Sequence, residues 1–237
     1  MNVRIVLRED NMTFIRCSIF LLFVFSIQPI NAASDLVQSE VTDFGKLGKI
    51  TIEAREALNQ PPKLVFASAE SGRVLQVISI QGGAGGGPEH IRFRVMHVQG
   101  LPDPLILGVG NANGASDCFY YPVPIARVHG KFQRLLSSAP EMDTQGGFSL
   151  GPLGTKDGIG LAIWTFDWGP RESHYDHHRY RIKFYRWNQA VGKLVSGGSR
   201  LTRQLDRGVE AALGAGIDPD DVIEASTLQS WFPDYRC

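Results

Sequence analysis

The chain has 237 residues, of which 43% are hydrophobic and 20% charged, a composition typical of globular proteins rather than of disordered or membrane-embedded chains. Lysine plus arginine and aspartate plus glutamate balance at 24 each, so no overall field attracts nucleic acid or anionic lipid, and we discount both as partners. The 26 glycines and 13 prolines indicate many turns and many short strands, within one large all-β domain or two small ones.

A short apolar run near the N-terminus predicts export. Residues 17–27 (CSIFLLFVFSI) follow Arg16, and small residues offer a cleavage position after Ala32 or Ala33, which is the pattern of a secretory signal peptide. The run is shorter than the roughly 20 residues that a membrane-spanning helix needs, and an uncleaved anchor is the alternative. Translation from Met12 would give a cleaner signal than translation from the first residue. We expect a periplasmic or extracellular protein without membrane attachment after cleavage.

Export leaves two cysteines, Cys118 and Cys237, in an oxidising compartment, where we expect them to form a disulfide. The loop between them would span 237 − 118 = 119 residues. The chain-entropy model gives such a bond about 4–5 kcal/mol before strain. Two unpaired thiols are the alternative.

Alternating apolar and polar residues predict strands through the middle of the chain. Residues 34–48 are polar and unpatterned, which predicts a flexible lead-in. The glycine-rich stretch 81–89 lacks the lysine and the helix start of a phosphate-binding loop, so we interpret it as a turn between strands. The predicted strands before the final hairpin are 49–54, 64–67, 73–80, 91–98, 105–109, 119–128 and 131–136.

Two aromatic-rich runs, 161–168 and 180–187, predict a hairpin with a polar connector. Leu201, Leu205, Val209 and Leu213 recur every four residues, which predicts an amphipathic helix. A second helix is expected from 218 to about 229, because Asp218 and Pro219 form a typical helix start. The tail after it (WFPDYRC) is expected to dock through Trp231 and Phe232.

An internal repeat joins two of these regions. Leu105 and Leu161 stand 161 − 105 = 56 positions apart, and each begins the same series: buried strand, polar loop, aromatic strand, Gly-Lys turn, short strand. The units resemble the FG-GAP-type repeats of integrin-like propellers and of bacterial secreted proteins. The resemblance implies blade-like units with an Asp-rich calcium turn. Only Asp103 in one copy and Asp157-Gly158 in the other remain of that turn, so calcium binding is not expected here.

The hairpin connector holds the strongest candidates for chemistry. If the chain is extended there, His174, Asp176 and His178 alternate onto one face and can present two imidazoles and a carboxylate to zinc. A polar loop with no metal is the alternative reading of the same residues. Trp168 and Tyr175 are candidate contacts for a protein or carbohydrate ligand, although aromatic residues in such strands also form cores.

These patterns predict a mainly β protein: an antiparallel meander of blade-like repeats (open sheet, sandwich or partial propeller) with a short C-terminal helical segment. The expected divisions are signal peptide 1–33, lead-in 34–48, β-rich repeat domain 49–198 and helical segment 199–237 packed on it. The function predicted is an exported binding or interaction module without catalytic activity or a cofactor. The alternatives are a secreted zinc hydrolase using the His174/Asp176/His178 loop, and an inhibitor-type protein presenting loop 169–177.

Overall fold

The computed structural model describes residues 34–81, 88–98, 101–113, 118–151, 160–173 and 176–235. The predicted signal peptide, most of the glycine-rich stretch, His174, Tyr175 and Cys237 lie outside the described residues. The predictions that rest on them therefore remain predictions.

The described chain is mainly antiparallel β, and it forms three open sheets. The first and second sheets each have four strands in sequence order, and the third adds a late strand to such a meander. This confirms the predicted fold class. The first sheet contains β1 (Asp35–Asp43), β2 (Lys49–Ala57), β3 (Gln60–Ser68) and β4 (Val74–Ser79); the second contains β5 (His90–Met96), β6 (Leu105–Asn113), β7 (Cys118–Val128) and β8 (Lys131–Arg134).

The third sheet has the order β12-β11-β10-β9-β13 and carries both short α-helices beside it. Its members are β9 (Gly147–Ser149), β10 (Leu161–Asp167), β11 (His178–Asn188), β12 (Lys193–Leu205) and β13 (Val222–Glu224); the helices are α1 (Gly208–Gly214) and α2 (Ala225–Trp231), and 3-10 turns cover Gly45–Leu47 and Pro219–Asp221. Leu105 opens β6 and Leu161 opens β10, so the 56-residue spacing relates the second strands of two meanders.

The sheets pack face to face around three apolar clusters. Ile52 and Phe66 of the first sheet meet Ile106 of the second, whereas Leu107 on the other face of β6 meets Ile163 of the third. The outer face of the third sheet packs against α1. Residues 105–111 of β6 and 161–164 of β10 are buried without a break, which is what a strand covered on both faces requires.

The predicted flexible lead-in is wrong, because residues 35–43 form β1 at the edge of the first sheet. Its pairing with β2 runs from Asp35 opposite Glu56 to Asp43 opposite Lys49. The Gln38 side chain also donates to the carbonyl of Phe93 at 2.8 Å and accepts from its N–H at 2.9 Å, which ties β1 to the second sheet. Long-range pairing therefore orders a stretch without apolar alternation.

The predicted helix from Leu201 is also wrong in its start, because β12 continues to Leu205 and α1 begins at Gly208. A four-residue spacing suits one face of a strand as well as a helix, and pairing with the long strand β11 decides between them. The second predicted helix is divided into a 3-10 turn, β13 and α2. Asp218 does accept from the Asp220 N–H at 3.0 Å, as expected of an N-cap, but it starts only the 3-10 turn.

Candidate functional site

The connector between β10 and β11 leaves the third sheet at the pair Asp167–Arg179. Arg171 takes a left-handed conformation (φ 70°) that reverses the chain. Trp168, the candidate binding aromatic, is 50% exposed at the end of β10, and its ring centre lies 5.1 Å from the ring centre of Phe166 in an edge-to-face arrangement. Tyr175, its predicted companion, lies outside the described residues.

His178 begins β11 and is fully buried. Its ring lies 4.0 Å from the ring of Phe166 and 5.1 Å from that of Trp168, measured between centroids. Nδ1 stands 3.2 Å from Oε2 of Glu172, whereas Nε2 has no hydrogen-bond partner among the described residues. The histidine is thus held inside an aromatic pocket by one carboxylate.

Glu172 is placed by the turn that precedes it. The N–H of Gly169 donates to its Oε2 at 2.8 Å, and a Cβ on Gly169 would come within 2.3 Å of its Oε1, so the glutamate occupies this position only because residue 169 has no side chain. This backbone hydrogen bond, with the bond and charge of His178, lowers the pKa of Glu172 below its ordinary value, because all of these favour the carboxylate. The carboxylate therefore links the turn to His178.

Asp176 has a different environment from His178. It is exposed, and its Oδ2 accepts from the Ser173 N–H at 2.7 Å, which lowers its pKa. Its own N–H donates to the Ser173 carbonyl at 3.1 Å. Two hydrogen bonds therefore join Ser173 and Asp176, and β11 begins only at His178.

Of the three predicted zinc ligands, Asp176 is exposed and His178 is buried, and His174 lies outside the described residues. Within the part of the chain that the structure describes, no three His, Cys, Asp or Glu side chains form a group that could hold a metal ion. Zinc binding remains a prediction that metal analysis of the purified protein, with and without H174A and H178A, would test.

An open cleft of about 920 Å³ lies at the β2–β3 turn, where the first sheet meets the start of β5. Val37, Ile80 and Pro88 are among its apolar lining residues, and of these Val37 is partly exposed. Leu58 at the turn is 89% exposed, and the next residue, Asn59, takes a left-handed conformation (φ 58°). The volume falls within the range of small-ligand sites, and an apolar wall with a few polar groups is their usual lining.

The charged groups of this cleft are carboxylates and one histidine. Asp35, Glu56, Glu89 and His90 line it, and neither lysine nor arginine is among the described lining residues. Sequence reasoning did not find this site, because Glu56 and His90 are 34 positions apart and no local motif joins them. Only the pairing of the sheets brings them together.

Glu56 is already committed to the protein. Its Oε1 accepts from the Ile91 N–H and from Nη1 of Arg92, both at 2.8 Å, and its Oε2 stands 3.0 Å from Nδ1 of His90. The half-exposed imidazole of His90 is thereby oriented toward the cleft end of β5, while the glutamate fastens the two sheets. The arrangement holds the His90 ring in a fixed position at the cleft.

The C-terminal tail packs on the second sheet. Arg92 forms an ion pair with Asp234, Arg94 lies over the ring of Trp231 at 4.3 Å, and the hydroxyl of Tyr235 donates to the Val109 carbonyl. Phe232 is 6% exposed within the cluster between the second and third sheets. This agrees with the expected docking of the tail.

Cys118 is buried in the same cluster as Tyr235, which is two residues before Cys237. The docked tail therefore brings Tyr235 into the cluster that contains Cys118. The pairing itself remains a prediction, because Cys237 lies outside the described residues.

The comparisons with known proteins give no relative. No family model, no curated protein and no solved structure matches the chain. Among the described residues, no helix has the length and apolar character needed to cross a membrane.

Proposed function

We propose that this protein is an exported binding module without catalytic activity, and that its ligand site is the open cleft at the β2–β3 turn. The observation that carries the proposal is the cleft itself, with its volume of about 920 Å³ between an apolar wall and a set of carboxylates. Export is supported by the signal-like N-terminal sequence.

The lining favours binding over catalysis. Both carboxylate oxygens of Glu56 are hydrogen-bonded to protein groups, so Glu56 is not available as a general base for a substrate. The described lining also contains no serine, threonine or cysteine that His90 could activate as a nucleophile. What remains is a rigid frame for recognition.

The same residues favour a basic, partly apolar ligand. Asp35 and Glu89 place negative charge at the cleft without a lysine or arginine in the described lining, and the exposed side chain of Leu58 offers apolar surface beside them. A peptide segment with leucine and lysine side chains matches both properties. A carbohydrate ligand is the rival, and the test below includes it.

Nuclear magnetic resonance titration of the exported protein tests this proposal. A short capped peptide that alternates leucine and lysine should shift the signals of Ala57, Gln60 and His90, whereas a leucine–glutamate peptide should not. L58A and E89Q should each weaken the complex by about fivefold or more, because each removes one part of the complementary surface.

The matched control is E70Q, since Glu70 is an exposed glutamate in the β3–β4 turn and not part of the cleft. It should bind the basic peptide as the parent does. If cellohexaose shifts the same signals and the basic peptide does not, the ligand class is a carbohydrate rather than a peptide. Failure of all three probes to move these signals would overturn the cleft as the ligand site.

A further inference from the structure

Two of the three sheets end in a long outer strand. β1 is an outer strand of the first sheet and has nine residues, and β12 is an outer strand of the third sheet and has 13. Within the described chain, β1 pairs with β2 alone and β12 with β11 alone. One row of backbone N–H and C=O groups on such a strand faces away from the sheet, and it is a template for pairing with another chain. Each strand is therefore an edge at which a sheet can be continued.

The two edges lie on opposite sides of the second sheet. Gln38 of β1 is hydrogen-bonded to Phe93 of β5. Leu194, near the start of β12, donates its N–H to the carbonyl of Leu135, directly after β8, at 2.8 Å. β5 and β8 are the two outer strands of the second sheet. The edges of β1 and β12 are therefore available to different neighbouring molecules.

The two edges carry opposite charges. β1 (DLVQSEVTD) contains three acidic residues and no basic residue, whereas β12 (KLVSGGSRLTRQL) contains three basic residues and no acidic residue. Glu40, Asp43, Arg200 and Arg203 are all exposed. Among the described residues, none of these four side chains forms an ion pair. Their charges are thus available to a partner.

This distribution of charge determines which edges attract each other. Two copies of β1 side by side would bring carboxylates together, and two copies of β12 would bring arginines together, and like charges on paired strands are destabilising. Charged residues on an outer strand commonly prevent such pairing. Because the two edges have opposite signs, however, β1 of one molecule and β12 of another are electrostatically complementary.

The positions of the side chains also match. The two acids at positions 40 and 43 and the two arginines at positions 200 and 203 have the same spacing (43 − 40 = 3 and 203 − 200 = 3), so one register brings both pairs of opposite charges together. An exposed apolar residue stands inside each pair: Val41 is 55% exposed and Leu201 is 40% exposed. Contact between the two edges would remove apolar surface from water in addition to pairing the charges.

We propose that this protein assembles with further copies of itself, by adding the acidic edge of β1 in one molecule to the basic edge of β12 in the next. The partner is a second copy of this chain, because one molecule carries both halves of the complementary contact. A contact between two different surfaces leaves one edge of each kind free at the ends of the assembly. Since the two edges lie on opposite sides, the assembly grows as an open chain of molecules and does not stop at a dimer.

Sedimentation velocity of the exported protein over a range of concentrations tests this proposal. The weight-average sedimentation coefficient should rise with concentration past the value of a dimer, and it should fall as sodium chloride is added, because salt screens exposed charges. R200E/R203E and E40K/D43K should each weaken the association about tenfold or more, because both edges of each variant then carry the same sign. An equal mixture of the two variants should associate again, because acidic and basic edges are then both present.

Two control variants carry the same changes of charge at exposed residues outside β1 and β12. They are R73E/K131E and E70K/D220K, and both should associate as the parent does. Sedimentation as a monomer at every concentration up to the millimolar range, association that stops at a dimer, or a mixture of the two edge variants that stays monomeric would each overturn the proposal. Equal weakening by the control variants would overturn it as well.

This test is independent of the peptide titration at the β2–β3 turn. None of the four residues exchanged on the two edges lines that cleft. L58A, which should weaken the peptide complex, should therefore associate as the parent does. E40K/D43K should bind the basic peptide as the parent does.

Discussion

The second and third sheets share one strand order but bury their matched residues differently. Counted from Leu105 and Leu161, which open their second strands, Gly108 corresponds to Trp164. A Cβ on Gly108 would meet Ile91 and Leu64 at 3.5 Å, because the first sheet lies against that face. Trp164 instead lies in the cluster between the outer face of the third sheet and α1.

The comparison shows that the element packed on a sheet face determines the size of the side chains that its strands bury there. The second sheet packs on another sheet at each face, and small residues suit the close approach there. The third sheet has a seven-residue helix over its outer face, and its large aromatic residues complete the core. Buried polar atoms without a partner among the described residues occur in both sheets, on Trp164, His178 and Tyr180 of the third and on Asn111 and Arg127 of the second. The two sheets therefore differ in the size of the side chains they bury.

The largest expected effect concerns the predicted disulfide between Cys118, at the start of β7 in the second sheet, and Cys237. Like His178 in β11, Cys118 is a buried first residue of its strand. If it pairs with Cys237, then Cys237→Ser should lower the free energy of unfolding by about 4–5 kcal/mol before strain. The reason is that the unfolded chain is no longer constrained by a closed loop of 119 residues, so its conformational entropy rises. Guanidinium unfolding of the oxidised protein measures it, and dithiothreitol should reproduce the loss in the parent alone. A free thiol at Cys237, found by non-reducing mass mapping of exported protein, would contradict the pairing.

The next prediction compares a glycine packed against Trp164 in the third sheet with Gly108 in the second sheet. Gly147→Ala would put a Cβ 2.4 Å from the indole of Trp164 and 3.0 Å from the Ile223 carbonyl, so we expect it to cost about 1–3 kcal/mol. Gly108→Ala makes ordinary contacts of 3.4–3.5 Å and should change the free energy of unfolding by less than about 1 kcal/mol. Thermal unfolding of both variants provides the comparison. Equal losses in the two would mean that the sheets do not differ in their tolerance.

The antiparallel strands and the matched order of the two meanders were predictable, because alternation and turn residues act locally. The edge strand β1 was not, since Gln38 is fixed by Phe93, a residue far along the chain. The exposure of Trp168 agrees with its place beside Gly169-Pro170 at the strand end. The cleft lined by Gln145, Asp206 and Glu224 could not be predicted, because these residues come from three separate segments of the chain. Local patterns predict elements, and only their packing creates such sites.

The smallest expected effect concerns the anchor of the third sheet, the carboxylate of Glu172 beside His178. The backbone bond from Gly169 is the main cause that lowers its pKa in the folded protein, so the carboxylate stabilises the fold above its ordinary pKa of 4.5. That contribution is lost as the pH falls through the lowered value. Glu172→Gln should therefore reduce the unfolding midpoint at pH 7, and the difference from the parent should shrink as the pH is lowered below the ordinary value.

Gly169→Ala should reduce the unfolding midpoint in the same way, because its Cβ would displace the glutamate. E70Q, which removes an equal charge from an exposed turn, supplies the control. A difference between parent and Glu172→Gln that stays constant with pH would show that the carboxylate charge does not hold His178 in place.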